Sequence, residues 1–550
     1  MTGADLLVQA LVQRGVCFVT TLSGNGLNPF YVACRRANLR LVDFRNEQAA
    51  AYAADAAARL TGRVGVCAVS SAVGHVNALI GVLNAWFDGA PLLLISGASE
   101  HMRTDRGKFQ ELDHVALAAP LCKYARLVDR PEQIPFYVQE AIGRATAGRP
   151  GPVHLTVPAD VLAAEVTTDI ALTPKPEGGV VRPRGAADPG LTAAAARLLA
   201  QAERPVLVAG SGAFYAGADE ALEALASAFA IPVVTPIWDR GAVPRAVGHF
   251  LGVVGAASGE PRLLPDADLL LLVGARIDYR LGYGEPPGVR PDARIVRIDV
   301  EASELRQGRE PDVALLADPA SALAALAEQA SRQRVSPKTD WLAEARRRDR
   351  EFRRRWTGEA PSAPPVTGRH VVEALRPLLT GGDPEPLFLI DGGNIGQWAH
   401  MALADRYPGH WLTCGASAVV GWGLPGAIGA RLACPDRPVV LLSGDGAFGF
   451  TVAELETAVR HDTPFVVVLA DDQAWGIVVS GQEERYGPDG VIASRLGPVA
   501  YDLVAQAFGA DGVRVERPEE IGPAVARGLV SGRPTLVHVP IAGGGPADLR

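Results

Sequence analysis

Short apolar runs alternate with longer, mixed stretches along nearly the whole chain. Runs at 16–20, 41–44, 64–69, 91–95 and 153–157 predict strands in the first third, and the Ala-rich stretch 48–60 predicts a buried helix. The same rhythm returns at 205–209, 269–273 and 295–299, and again at 387–390, 439–442, 465–469 and 535–539. Runs that are apolar throughout, rather than alternating, suit strands covered on both faces, as in parallel sheets built from βαβ units. The pattern predicts an α/β protein of three consecutive domains, at 1–165, 188–330 and 366–543. Each has a central, mainly parallel sheet flanked by helices. Proline-rich linkers are expected at 166–187, with Pro174, Pro176 and Pro183, and at 360–365. The basic stretch 346–355, interrupted by Asp349 and Glu351, reads as a solvated linker helix. The glycines at 543–545 predict a frayed tail.

Composition narrows the function. The chain has 550 residues and a net charge of −8, which argues against a nucleic-acid-binding surface. Its six cysteines (17, 34, 67, 122, 414 and 434) form no C-x-x-C pair, as expected of reduced thiols rather than a zinc site or a disulfide framework. No membrane-length apolar run and no leader pattern is seen. A soluble, cytoplasmic protein with no membrane partner is the expectation.

The chemistry concentrates at two strand ends of the last domain. The run 439–442 leads into Gly444-Asp445-Gly446, and 465–469 delivers Asp471 and Asp472. Alone, Gly-Asp-Gly is an ordinary turn between strand and helix. With a second acidic strand end on the same sheet edge, it reads as a metal–diphosphate site. Glycines let backbone N–H groups approach an anion, and Asp445 and Asp472 can hold Mg²⁺ together with a backbone carbonyl and phosphate oxygens. In the first domain, Arg45-Asn46-Glu47-Gln48 precedes the Ala-rich helix. A glutamate there reads either as a helix-dipole partner or as a functional carboxylate facing inward among alanines.

Together these motifs resemble the thiamine diphosphate fingerprint of the acetolactate-synthase-like group, which includes benzaldehyde lyase, oxalyl-CoA decarboxylase and the 2-hydroxyacyl-CoA lyases. The similarity rests on residues 43–50, 70–77, 108–111 and the Gly-Asp-Gly site, and spans nearly the whole chain. It implies a thiamine diphosphate-binding fold in the first and third domains, with thiamine diphosphate and Mg²⁺ as cofactors. By resemblance, Asp445 and Asp472 are metal-binding side chains and Ala474 supplies the metal-binding carbonyl. Asp471 stands where the family often has Asn.

Glu47 would hydrogen-bond the aminopyrimidine ring nitrogen, promoting the imino tautomer that takes the thiazolium-carbon proton. Gly74 and Asn77 would line that ring, although Ala72 and Val73 replace the Gly and Pro of the family's turn. Asp391, Gly393 and Asn394 would contact the diphosphate, as would Gly444, Gly446, Ala447, Phe448, Trp475 and Gly476. Val420 would prop the bent cofactor where methionine is common. Asn25 is the candidate contact for a substrate oxygen, or else part of an Asn-Gly turn, and Gln110 would face the same cavity beside Phe109. Gly481 stands where a tryptophan selects 2-ketobutyrate in some relatives.

The implied reaction is decarboxylation of a 2-oxo acid with transfer of the acyl carbanion equivalent to a carbonyl. The alternatives are a lyase for 2-hydroxy ketones or 2-hydroxyacyl-CoA, and a non-enzymatic cofactor-binding remnant. The resemblance brings FAD or an adenine nucleotide to the central domain. Against FAD, the flavin-side histidine has no counterpart in 251–255. It also implies a homodimer with shared active sites, or a tetramer, and the chain ends soon after its last strand, without the longer tail of some relatives.

Overall fold

The computed structural model describes residues 1–167, 184–239, 248–255, 262–356, 365–380, 383–403 and 411–546. Most of both expected linkers (168–183 and 357–364) lies outside these residues. Among the described residues, three six-stranded sheets follow one another, and every strand pair is parallel.

The first sheet holds β1 (Phe18–Thr21), β2 (Arg40–Asp43), β3 (Gly65–Val69), β4 (Leu92–Ala98), β5 (Tyr124–Leu127) and β6 (Val153–Pro158), in the order β2-β1-β3-β4-β6-β5. The second holds β7 (Pro205–Ala209), β8 (Val233–Pro236), β9 (Phe250–Val254), β10 (Leu269–Val273), β11 (Arg294–Asp299) and β12 (Val313–Leu316), in the order β12-β11-β10-β7-β8-β9. The third holds β13 (Leu387–Asp391), β14 (Trp411–Thr413), β15 (Val439–Gly444), β16 (Val466–Asp471), β17 (Asp511–Arg514) and β18 (Thr535–Pro540), in the order β14-β13-β15-β16-β18-β17. The first and third sheets thus share one topology. In each, the strand order reverses beside the first strand, which opens a crevice at the carboxyl edge.

The Ala-rich segment forms the helix Glu47–Thr61, with the Asn46 side chain accepting the Gln48 N–H and Gly62 closing it at φ +65°. Its small residues let it cross close against the helix Gly423–Ala433 of the third domain. A Cβ on Gly429 would lie 2.2 Å from the Ala53 carbonyl oxygen. This contact joins the first and third domains in one apolar core.

A buried ionic cluster lies inside that core. Arg59 Nη1 stands 3.6 Å from Asp55 and 3.4 Å from Asp88, all three fully enclosed. Asp55 also accepts Trp422 Nε1–H and Asn84 Nδ2–H, each at 2.9 Å. Arg59 donates to the Thr413 carbonyl at 2.9 Å, and Asp88 accepts the Ala416 N–H at the same distance. The helix that begins at Glu47 is therefore tied to the 413–422 loop.

Two expectations change here. Gly444-Asp445-Gly446 is no turn: β15 runs through Gly444, and a helix, Asp445–Phe450, starts at the next residue. The tail to residue 546 is not frayed, because Trp398 Nε1 donates to the Gly544 carbonyl at 3.3 Å and Ala542 N–H to Val366. The basic stretch lies in the helix Thr339–Trp356 and is balanced along its own surface, as in the Arg347–Glu351 and Arg353–Asp349 pairs.

Candidate active site

The registers of the third sheet set its edge. Asp391 lies opposite Ser443, and Gly444 opposite Ala470, so three strands deliver Asp391, Asp445 and Asp471–Asp472 to one rim. A cavity of about 370 Å³ opens there, lined by Gly392–Gln397, Thr413–Cys414, Ala418–Val420, Gly444–Ala447, Asp472 and Ala474–Val478. The glycines are required by crowding. A Cβ on Gly476 would lie 2.5 Å from Asn394 Nδ2 and 2.6 Å from Asp472 Oδ2, and one on Gly392 (φ +106°) would lie 2.8 Å from the Gly444 nitrogen.

Burial raises the Asp445 carboxyl above its usual range, and repulsion from Asp471 and Asp472 adds to this. Burial raises Asp472 likewise. Asp445 Oδ1 and Asn394 Nδ2 are buried without a hydrogen-bond partner. An orphaned acceptor, an orphaned amide donor and two crowded carboxylates fit a cation bridged to a diphosphate. Among the described residues, no group of three His, Cys, Asp or Glu is placed to hold a metal by itself. A site shared with a backbone carbonyl and a ligand's oxygens needs no such group.

Phe448 differs from its expected neighbours. It is buried behind the cleft, its ring edge-on to Tyr501 at 5.6 Å. Asp391 turns its Oδ2 to the Gly423 N–H at 2.6 Å, so it fastens the 421–423 loop, and burial pushes its carboxyl up to about 7. Val420 is 39% exposed at the cleft mouth. Gly481 is exposed on the helix Gly476–Tyr486 and is not among the residues that line the cleft.

Some residues of the site were not legible in the sequence. Ile237 and Trp238 of the central domain line the cleft, and Tyr279 Oη donates to the Ala416 carbonyl at 2.7 Å. Asp471, the extra carboxylate, faces His538 Nε2 at 2.9 Å through Oδ2 and accepts the Gln473 N–H through Oδ1, while His538 Nδ1 meets Asp502 at 3.1 Å.

At the first sheet's edge, Thr21 pairs with Asp43 and Ala68, and Val69 with Ser96. This brings together Asn25, Glu47 and the 70–77 segment. Glu47 is 8% exposed, and Asn77 Nδ2 donates to its Oε2 at 3.0 Å. A Cβ on Gly74 would lie 3.1 Å from Glu47 Oε1. Ser71 Oγ donates to Gln110 Oε1 at 2.8 Å, and Asn25 sits exposed on the Asn25–Leu27 turn. Among the described residues, none from the first sheet's domain lines the diphosphate-type cleft. Within one chain, the two half-sites are separate.

The strand end before Glu47 is locked to the third domain. Glu454 accepts the Arg45 N–H through both oxygens at 3.2 Å, and Thr457 Oγ1–H at 2.6 Å. Burial pushes Glu454 from its ordinary 4.5 up to about 7. Its proton is held more tightly in the folded chain than in the unfolded one. The stability this brings is full below pH 4.5 and is lost as pH rises through 7. Glu454→Gln, which does not titrate, is expected to gain about 3 kcal/mol relative to wild type across that window. Chemical unfolding of both proteins at several pH values measures this.

The fold and the cleft define an α/β protein with a glycine-lined, carboxylate-bearing cleft at one sheet edge and a second sheet of the same topology. Residues 1–117, 192–326 and 391–539 match, respectively, the N-terminal TPP binding domain, the central domain and the C-terminal TPP binding domain of thiamine pyrophosphate enzymes. The acetolactate synthase large subunit of Parasynechococcus marenigrum is 32% identical over 99% of this chain and 88% of its own length. A probable acetolactate synthase large subunit of Methanocaldococcus jannaschii is 30% identical over 98% and 92%. The 2-hydroxyacyl-CoA lyase 2 of Mus musculus is 30% identical over 94% and 85%. The chain belongs to the thiamine pyrophosphate enzymes, in their acetolactate-synthase-like group. No helix among the described residues is long and apolar enough to cross a membrane.

Proposed function

We propose that the protein uses thiamine diphosphate and Mg²⁺ to decarboxylate a 2-oxo acid and join the remaining acyl unit to a carbonyl acceptor. The observation that carries this reading is the Asp445–Asp472 pair beside the orphaned Asn394 amide, in a cleft whose glycines leave room for a diphosphate. Asp445, Asp472 and the Ala474 carbonyl hold the metal. Gly393, Asn394, Gly444, Gly446, Ala447, Trp475 and Gly476 hold the diphosphate. Bound there, thiamine diphosphate supplies a nucleophilic carbon and an electron sink. Glu47 holds a proton against the pyrimidine ring, flanked by Gly74 and Asn77. Asn25 and Gln110 face the substrate oxygen.

A second reading is cleavage of a 2-hydroxy ketone or 2-hydroxyacyl-CoA. A relative named 2-hydroxyacyl-CoA lyase 2 favours it, as does Gly481, which lacks the tryptophan that selects 2-ketobutyrate in some relatives. Mass spectrometry of products from a panel of 2-oxo acids and hydroxy ketones separates the two. Acetolactate from pyruvate supports the first. Cleaved hydroxy ketones with inert pyruvate support the second.

The separate half-sites argue for a homodimer in which Glu47 of one chain faces the Asp445 cleft of its partner. Val73, Val76 and Ile80 on one half and Phe450, Ile477 and Val478 on the other are exposed apolar residues that a second copy would cover. Reassociating equal amounts of Glu47→Gln and Asp445→Ala chains is expected to restore roughly a quarter of wild-type activity, because half the dimers then contain one intact site of two. No recovery would place both residues in the same chain's site.

In the central domain, a cavity of about 410 Å³ lies between Ser211, Gly212, Gly274 and Asp299 on one side and Thr146–Pro150 of the first domain on the other. It has the place and size for an adenine nucleotide, and we infer that ligand there in preference to FAD. The six free thiols suit a reducing, cytoplasmic setting.

A further inference from the structure

The turn that starts the Val73–Asp88 helix is strained. Ala72, its N-cap residue, has φ +42° and ψ −91°, a region where a side chain is poorly tolerated. Its N–H donates to His114 Nε2 at 2.8 Å. The neighbouring Ser71 bonds Gln110, so the 110–114 segment grips both residues of the turn. Behind it lie two more buried imidazoles. The His75 ring stands 4.6 Å from His114 and 4.8 Å from His154, and His75 Nδ1 lies 2.8 Å from Ser96 Oγ. Among the described residues, no three such groups are placed to hold a metal. Burial pushes His114 down to about 4 and His75 down to about 3, so both are neutral near pH 7. His114 Nε2 then keeps its lone pair for the Ala72 N–H.

The consequence lies one turn along the helix. Asn77 donates to Glu47 Oε2, and Gly74 packs against Glu47 Oε1. The pose of this helix start therefore decides where the glutamate points.

We propose that His114 is a positioning residue for Glu47: by accepting the Ala72 N–H it pins the strained turn and sets Gly74 and Asn77 against the carboxylate. The proposal rests on the reading of Glu47 as the group that faces the cofactor. Leucine at 114 fills the space but accepts no hydrogen bond. Glutamine can accept through its Oε1. Glycine at 72 relieves the strain without any partner.

The test uses wild type, His114→Leu, His114→Gln and the double variant Ala72→Gly/His114→Leu. Each is titrated calorimetrically with thiamine diphosphate in Mg²⁺, followed by NMR measurement of proton exchange at the thiazolium carbon and by a thermal melt. His114→Leu is expected to weaken binding or slow exchange by roughly tenfold or more, with His114→Gln and the double variant recovering to within about threefold of wild type. Exchange and binding unchanged in His114→Leu would overturn the proposal. So would a double variant no better than His114→Leu alone, including one that fails to fold as His114→Leu does. Wild type that binds no thiamine diphosphate would instead overturn the function beneath it.

Discussion

Glu47→Gln is expected to retain the fold and bind thiamine diphosphate while slowing proton exchange at the thiazolium carbon by a factor on the order of 10²–10⁴. The expectation follows from what surrounds the carboxyl. Glu47 opens a helix whose other residues are mostly buried alanines, and it is nearly enclosed itself. Its Oε2 accepts the Asn77 amide and its Oε1 abuts Gly74, a position with no side chain to block an approaching ring. Glutamine keeps that shape and still accepts a hydrogen bond. It cannot give and take a proton. A purely structural cap would lose little by the change, because an amide satisfies it nearly as well. Exchange at the wild-type rate in the variant, measured by NMR on the bound cofactor, would remove Glu47 from the chemistry.

Arg59→Met is expected to destabilise the chain by about 3–5 kcal/mol. Asp55 and Asp88 are fully buried, and burial raises both carboxyls above their usual range even with Arg59 beside them, Asp55 to about 6. Arg59 is the counter-charge that faces both, and it also holds the Thr413 carbonyl. Methionine fills the volume and leaves two enclosed acids without their cation. The loss falls on the contact between first and third domains, so the thermal midpoint should drop and the 413–422 loop should become exchange-labile. Replacing Asp55 and Asp88 together with Arg59 by apolar residues of similar size should recover most of the loss. A melting curve unchanged in Arg59→Met would show that solvent reaches the cluster.

The architecture was largely legible from periodicity. Apolar runs at 205–209 and 269–273 coincide with β7 and β10, because central parallel strands are apolar on both faces. The strands β5, β8, β9, β12, β14 and β17 escaped, since all are short and some carry polar residues, as Tyr124–Leu127 and Asp511–Arg514 do. The Gly-Asp-Gly segment was read as a turn because glycine flanks favour turns in isolation. In the fold, the carboxyl-edge geometry passes β15 directly into a helix. Residues with a local motif were placed in the cleft, from Asp391 to Gly476. The sequence does not show which way the Phe448 side chain turns: its neighbours Gly444–Ala447 line the cleft, while its aromatic ring is drawn into the core. Trp238 and His538 lie far from any motif and reach the cleft or Asp471 only through tertiary packing, and the partners of Asp471 could not be found from position 471 alone. His114 and Ala72 left a faint signal, a non-glycine residue at the head of a glycine-bearing loop, whose compensation sits 42 residues away.

Calorimetric titration of the purified protein with thiamine diphosphate, with and without Mg²⁺, tests the cofactor assignment most directly. Saturable binding at one site per chain with Mg²⁺, greatly weakened when the metal is chelated, is the expected result. No binding with Mg²⁺ present, or binding indifferent to the metal and to Asp445→Ala, would contradict it.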